Sequence, residues 1–306
     1  MSGHVNRSSL QFLLRFQISV THPVIRTFRM SDGYRLHYRH WVPAGRPLAR
    51  IVALHGIQSH SGWYEYSTRK LCEAGYEVYF LDRRGSGMNE VARGDTPHHE
   101  RWINDVVQFL GEVRATTTRD LPGCPVVLQA VSWGGKPAVV AAARRPELLD
   151  ALALLYPGLC PRIGPWPHQR LQLRLAEGLG IRKKLVPVPL RDPALFVGDP
   201  KWQEHIRHDP LALHEVTVRF LLANRELDRL VRQSPERLSR PTLLMLSGKD
   251  RIIDNRATRR YFARCGARHL TQIEYADAQH TLEFEPDRDR FIGHLLQWLK
   301  LMVEGV

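Results

Sequence analysis

The chain has 306 residues, 43% of them hydrophobic, enough to bury a large core and to suit one α/β domain carrying an insertion. No run of about 18 uncharged apolar residues occurs, so no transmembrane span is expected. The net charge of +13 and pI near 10.0 come without a recognition helix, an RNA-binding signature or zinc-finger spacing, so nucleic acid is not expected as a partner. The densest basic cluster, Arg256, Arg259, Arg260, Arg264 and Arg268, reads as the solvated face of a helix. Weak association with anionic lipid surfaces is the functional reading of that charge.

The N-terminal Leu10 to Phe16 is too short and too interrupted for a signal peptide and lacks a small-residue cleavage site. Four widely spaced cysteines, Cys72, Cys124, Cys160 and Cys265, with no C-x-x-C, fit reduced thiols and a cytoplasmic location. Ile25 to Met30 and Arg35 to Val42, joined by Ser31-Asp32-Gly33, read as an opening hairpin. Ile51 to Leu54 is an apolar strand running into His55-Gly56-Ile57, which lets the Ile57 N–H point outward from the strand end. A helix near Gly62 to Ala74, a strand at Glu77 to Leu81 and a helix near Glu100 to Thr117 follow. Such alternation predicts a mostly parallel sheet with helices on both faces.

Val126 to Val131 is a buried strand that stops at Ser132, before Trp133-Gly134-Gly135 and the alanine-rich Ala138 to Ala143. Strand, sharp turn and helix in that order put a serine at the tip of a tight turn, with small residues at Ala130 and Gly134 where the backbones nearly touch. The helix N-terminus beneath offers free N–H groups to a developing oxyanion. Pro137 falls near the end of the first helical turn, where a proline begins to cost. Ala151 to Tyr156 is the next strand.

After Tyr156 the alternation breaks. Residues 157 to about 215 are proline-rich, with Pro161, Pro187 and Pro189 among short apolar clusters and no expected strand; Leu211 to Leu238 then reads as a return helix. The chain thus divides into a first core part (1–156), a cap insertion with its return helix (157–238) and a second core part (239–306). The cap is expected to be mobile and mainly helical, with apolar segments Leu171 to Ile181 and Leu185 to Leu190 facing an acyl or aryl group. Pro241 to Leu246 is a buried strand ending in Ser247-Gly248-Lys249-Asp250, and Leu270 to Ala276 is a further strand followed by His280.

Ser132, Asp250 and His280 therefore stand in that order at three strand ends. A hydroxyl becomes a useful nucleophile only when an imidazole takes its proton, and the imidazole needs a carboxylate to fix its tautomer. The N–H groups of Ile57 and Trp133 are the candidate oxyanion hole. Asp254 competes with Asp250 but suits a helix cap better. His55 is read as bracing the oxyanion turn; His60 and Tyr64 are candidate substrate-binding residues. The chemistry needs no metal and no organic cofactor. His98-His99-Glu100 diverge as neighbours at a helix start, and His205, His208 and Asp209 lack a third strong ligand, so neither group is read as a metal site.

The chain resembles an α/β-hydrolase of the monoglyceride lipase, lysophospholipase and serine aminopeptidase group. The matching segments are His55-Gly56 with His60-Ser61-Gly62-Trp63-Tyr64, Asp82-Arg83-Arg84-Gly85-Ser86-Gly87, the serine turn, Asp209-Pro210-Leu211, Gly248 to Asp254 and Ala278 to Glu283. Departures are Ala130, Val131 and Trp133 at the turn, Ser86 and Asn89 in the second segment, and Ser59 where monoglyceride lipases tend to have glutamate. The resemblance implies the α/β-hydrolase fold with an inserted cap and a serine hydrolase of carboxylic esters. A peptidase, amidase or acyltransferase on the same residues is the near alternative, and a non-catalytic binding protein on this fold the distant one.

Overall fold

The computed structural model describes residues 22–163 and 167–305; the Leu10 to Phe16 segment lies outside them. Eight strands form one sheet: β1 (Val24–Arg29), β2 (Arg35–Trp41), β3 (Arg50–Leu54), β4 (Glu77–Leu81), β5 (Val126–Val131), β6 (Ala151–Leu155), β9 (Thr242–Ser247) and β10 (Leu270–Tyr275), in the order β1-β2-β4-β3-β5-β6-β9-β10. The pairs β1–β2 and β2–β4 are antiparallel and every other pair is parallel. Every residue of β3, β4, β5, β6 and β9 is buried, as expected for strands covered by helices on both faces. The edge strands β1 and β10 are mainly exposed.

Helices α1 (Glu65–Glu73), α2 (His99–Asp120), α3 (Gly135–Arg144), α7 (Asn255–Phe262) and α8 (Arg288–Glu304) complete the two layers. Pro137 is the third residue of α3, where helix N–H groups have no intrahelical acceptor, so its missing donor is tolerated. The chain leaves β3 for β4 on one side and places β5 on the other. That reversal opens a crevice at the carboxyl ends of β3 and β5, the position where open parallel sheets collect ligands. The register sets Leu54 opposite Ala130, so the residues just beyond them, Gly56 and Ser132, become neighbours.

The segment between β6 and β9 carries α4 (Pro167–Gly178), α5 (Pro200–His208) and α6 (Val218–Arg232). It departs from the sequence expectation twice. A small antiparallel pair, β7 (Leu185–Pro187) with β8 (Glu215–Thr217), forms within it. The return helix starts at Val218 rather than Leu211, because Thr217 ends β8 and its side chain accepts the Phe220 N–H at 3.0 Å as an N-cap. Residues before it are held elsewhere: Leu213 N–H donates to the Gln58 carbonyl at 2.9 Å, and Ala212 and Leu213 are buried.

Candidate active site

Ser132 tops the turn between β5 and α3 with φ +48°, a left-handed backbone that a serine adopts only when its surroundings impose it. The imposition is visible at Gly134, where a Cβ would sit 2.5 Å from the His55 carbonyl oxygen. Strand β3 and the turn thus approach too closely for any side chain there. On the other side, Gly158 N–H donates to the Ser132 carbonyl at 2.6 Å.

Three strand-end side chains meet at this turn. The Ser132 hydroxyl lies 2.9 Å from His280 Nε2, and His280 Nδ1 lies 2.7 Å from Asp250 Oδ2. With Nδ1–H donating to the carboxylate, Nε2 is left free to accept the serine proton. The other Asp250 oxygen accepts two backbone N–H groups, from Ile252 at 2.8 Å and Ile253 at 2.9 Å. Asp250 and His280 are both buried, and the rings of Tyr156 (5.0 Å) and Phe196 (5.9 Å) pack edge-on against the imidazole. Asp254 instead caps α7, accepting the Ala257 N–H at 2.9 Å. The two aspartates four residues apart therefore sit in different environments, one in the site and one outside it.

The backbone of Gly56-Ile57 runs alongside Ser132: a Cβ on Gly56 would lie 3.3 Å from the Ser132 Cβ. No protein acceptor takes the Ile57 or Trp133 N–H among the described hydrogen bonds. His55 braces this stretch from below. Its Nδ1–H donates to the Gly56 carbonyl at 2.7 Å and its Nε2 accepts the Arg83 N–H at 2.8 Å. Burial drives its pKa down to about 3, so the ring stays neutral and keeps both bonds.

Tyr64 lines the pocket beside Ser132, and its hydroxyl donates to Ser59 Oγ at 3.0 Å, which also accepts the Gly56 N–H at 2.9 Å. His60 does not line it. Its Nδ1 accepts the Gly62 N–H at 3.1 Å and its Nε2 donates to Asp209 Oδ2 at 2.8 Å, an oxygen that also accepts the Trp63 indole N–H. His60 thus ties the core to the segment between β6 and β9, its ring bonded to Asp209. Although burial works to raise it, hydrogen bonds from His60 and Trp63 hold the Asp209 carboxyl below the usual carboxylate range. The remaining lining includes Gln58, Trp63, Tyr156, Phe196 and Thr281, around a cavity of about 10 Å³. Phe196 and Tyr156 were not identified from sequence; Phe196 reaches the site because its carbonyl accepts the Thr281 N–H at 2.9 Å.

His98 accepts the Glu100 N–H as the cap of α2, His208 pairs with Glu204, and Asp209 with His60, so these groups do not converge. Among the described residues no cluster of three or more metal-ligating side chains occurs.

Site and sheet together define an α/β-hydrolase fold with a serine at the sharp turn between β5 and α3. The serine aminopeptidase S33 family matches residues 45–287, and the chain belongs to that family. It is 27% identical over 258 residues to the monoglyceride lipase of Rattus norvegicus, covering 83% of this chain and 82% of that one. It is 26% identical over 260 residues to phospholipase YtpA of Bacillus subtilis, covering 80% of this chain and 93% of the relative. Among solved structures, a soluble variant of monoglyceride lipase from Saccharomyces cerevisiae superposes with a TM-score of 0.81 at 16% identity, covering 94% of this chain and 98% of that one. The Paleococcus ferrophilus monoacylglycerol lipase gives 0.75 at 23% identity, covering 87% and 99%. These likenesses fix the fold.

Proposed function

We propose that the chain is a serine ester hydrolase in which Ser132, His280 and Asp250 form the catalytic triad. The observation that carries this reading is the unbroken chain from Ser132 Oγ through His280 to Asp250, at 2.9 and 2.7 Å. Ser132 attacks the ester carbonyl while His280 Nε2 takes its proton. The N–H groups of Ile57 and Trp133 hold the oxyanion, and Asp250 stabilises the imidazolium without itself being protonated. The alcohol leaves with the proton from His280. Water then enters, is deprotonated by the same imidazole and releases the acid.

The family's description names an aminopeptidase, and the relatives named above are lipases and a phospholipase. The lining favours the ester. A peptidase selecting a free α-amine needs a carboxylate to receive it. Around Ser132 the lining beyond Gly56 and Ile57 is aromatic, hydroxyl or amide, with no acidic side chain among the described residues. The segment from 157 to 238 is the cap over this site, set between the core parts 1–156 and 239–306.

Weak association with anionic lipid surfaces belongs to the same reading. Leu175, Leu179, Ile181 and Leu185 are exposed on the cap, next to exposed Arg182, Lys183 and Lys184. Apolar side chains beside cations suit a negatively charged interface. No described helix is long and apolar enough to cross a membrane. Four free cysteines support a cytoplasmic location.

The test is a panel of p-nitrophenyl esters of graded acyl length beside a monoacylglycerol, a lysophospholipid and aminoacyl amides. Ester cleavage that depends on acyl length is expected. A steady preference for aminoacyl amides, with no length dependence, would overturn the esterase assignment in favour of a peptidase.

A further inference from the structure

Arg83 has no role in the chemistry derived above, yet it sits directly behind the proposed oxyanion donors. Its neighbours in the chain are fully engaged. The Asp82 carboxylate accepts the Ser61 N–H at 2.7 Å and the Met88 N–H at 2.8 Å, while Arg84 grips both oxygens of Asp105 at 2.8 and 2.7 Å. Arg83 has no carboxylate partner among the described residues. Its Nη2 donates to the Ile57 carbonyl at 2.8 Å, and its Nε and Nη1 are buried without a hydrogen-bond partner. The guanidinium lies 4.8 Å from the Trp133 ring and 5.3 Å from the Phe220 ring.

Such a placement is costly if stability is all it serves. Drawing a guanidinium largely out of solvent without a carboxylate partner is unfavourable, and stacking on two rings recovers only part of that. Burial lowers its pKa to about 9, which still leaves the group charged at neutral pH. The geometry suggests what the charge is for. Ile57 and Trp133 follow different strands, β3 and β5, and no described hydrogen bond joins them directly. His55 holds the Gly56 carbonyl at 2.7 Å, which fixes the peptide plane that carries the Ile57 N–H. Arg83 holds the next carbonyl, that of Ile57 itself, so the planes on both sides of the Ile57 Cα are tied. The same guanidinium covers the indole of Trp133, whose Nε1–H donates to Asn224 of α6 at 2.8 Å.

We propose that Arg83 is the positioning residue of the oxyanion hole, fixing Ile57 through its carbonyl and Trp133 through its ring, with Phe220 of α6 as the third wall. It acts through those two residues and does not touch the reacting atoms. The inference rests on the triad and oxyanion reading proposed above.

The test uses the full chain with Arg83→Met and Arg83→Lys, active-site concentration being titrated with a fluorophosphonate. Kinetics on p-nitrophenyl butyrate are compared with the affinity for a trifluoromethyl ketone, which forms a tetrahedral oxyanion on the serine. Removing a donor outright costs about 100- to 1,000-fold, so loosening two should lower kcat by roughly 10- to 100-fold in Arg83→Met, with KM within about twofold. Trifluoromethyl ketone affinity falls by the same factor, and Arg83→Lys, which keeps charge but not the flat stacking face, lies between. A thermally weakened Arg83→Met with unchanged kcat per titrated site, or with ketone affinity untouched, overturns the proposal. Should Arg83→Met not fold, Phe220→Leu removes one stacking face and keeps the bond to Ile57. It should lower kcat by about 3- to 10-fold at constant KM, and an unchanged kcat there also overturns the proposal. Ser132→Ala run in parallel separates the two readings. Turnover surviving in it defeats the triad, whereas its loss beside an unaffected Arg83→Met defeats only the positioning role.

Discussion

The loops at the carboxyl ends of the sheet and the segment proposed as their roof are held in different ways. Asp250 is buried, and both its oxygens are occupied, by His280 on one side and two backbone N–H groups on the other. Ser132, His55 and Gly134 are equally hemmed in by backbone. Over the roof, Leu175, Leu179, Ile181 and Leu185 remain exposed, whereas the lower part of the same segment is anchored to the core by side-chain and backbone bonds, among them Phe196 to Thr281, Asp209 to His60 and Trp63, Arg219 to Asp95, Asn224 to Trp133, and Lys136 on Asp228 at 2.6 Å. The proposed machinery sits where the backbone permits one arrangement; the segment above it is held mainly by side-chain bonds and packing, which a substitution loosens by degrees. Substitutions in the loops should therefore act in large steps on turnover, and those in the roof in small graded ones.

The largest step is at Ser132. Ser132→Ala should leave the fold intact and lower kcat for a p-nitrophenyl ester by several powers of ten, since only binding and oxyanion effects survive without the nucleophile. Near-normal turnover in a folded variant would remove the loops from the chemistry altogether. Next comes the contrast between the two aspartates. Asp250→Asn keeps the shape but favours the wrong histidine tautomer, a loss on the order of 10⁴-fold in kcat. Asp254→Asn, at the α7 cap, should change stability only slightly, because asparagine also caps helices, with little kinetic effect. Comparable kinetic damage from both would reassign the acid.

A third difference concerns pH. Glu283 is buried three residues after His280, and burial pushes its carboxyl up to about 7 against a hydrogen bond from the Ser67 N–H at 2.9 Å. The folded chain therefore holds this proton more tightly than the unfolded one, whose carboxyl titrates near 4.5. Stability from this group is fully present below about pH 4.5 and declines as pH rises through about 7, by up to roughly 3 kcal/mol. Glu283→Gln, which keeps the acceptor, should flatten that decline. Urea denaturation at several pH values from 5 to 8 checks it; parallel curves for both proteins would show that Glu283 titrates normally.

How much of this was legible beforehand follows the same division. The strand runs, the serine turn and the order of Ser132, Asp250 and His280 are written in local sequence, because each is a buried strand followed by a characteristic turn. The position of Asp254 at a helix start is equally local. What stayed hidden depends on residues far apart in the chain. His60 reads as a pocket residue until Asp209, which follows it by 149 positions, is seen to take its ring. Phe196, Tyr156 and Arg83 gain meaning only from the loops they meet. The β7–β8 pair has three residues per strand and a proline in the first, too weak a pattern to stand out.

The smallest effect is the one that probes the roof itself. The cavity beside Ser132 holds about 10 Å³, barely what a single water requires, with Phe196, Trp63 and Tyr156 in its walls. An acyl chain of several carbons must displace one of these, and Phe196, contributed by the cap, is the wall least enclosed by the sheet. Each methylene buried there is worth about 0.8 kcal/mol, or about fourfold in kcat/KM, until the available space is full. Short and medium acyl esters should show this slope and be cleaved better than monoacylglycerols, because Ser59 offers no charge to a glycerol head. Phe196→Ala should move the chain length at which the slope ends toward longer esters, while kcat on the shortest ester changes little. If the plateau stays at the same length in Phe196→Ala, the cap does not set acyl length. The limit would then lie in Trp63 and Tyr156, in the rigid part of the molecule.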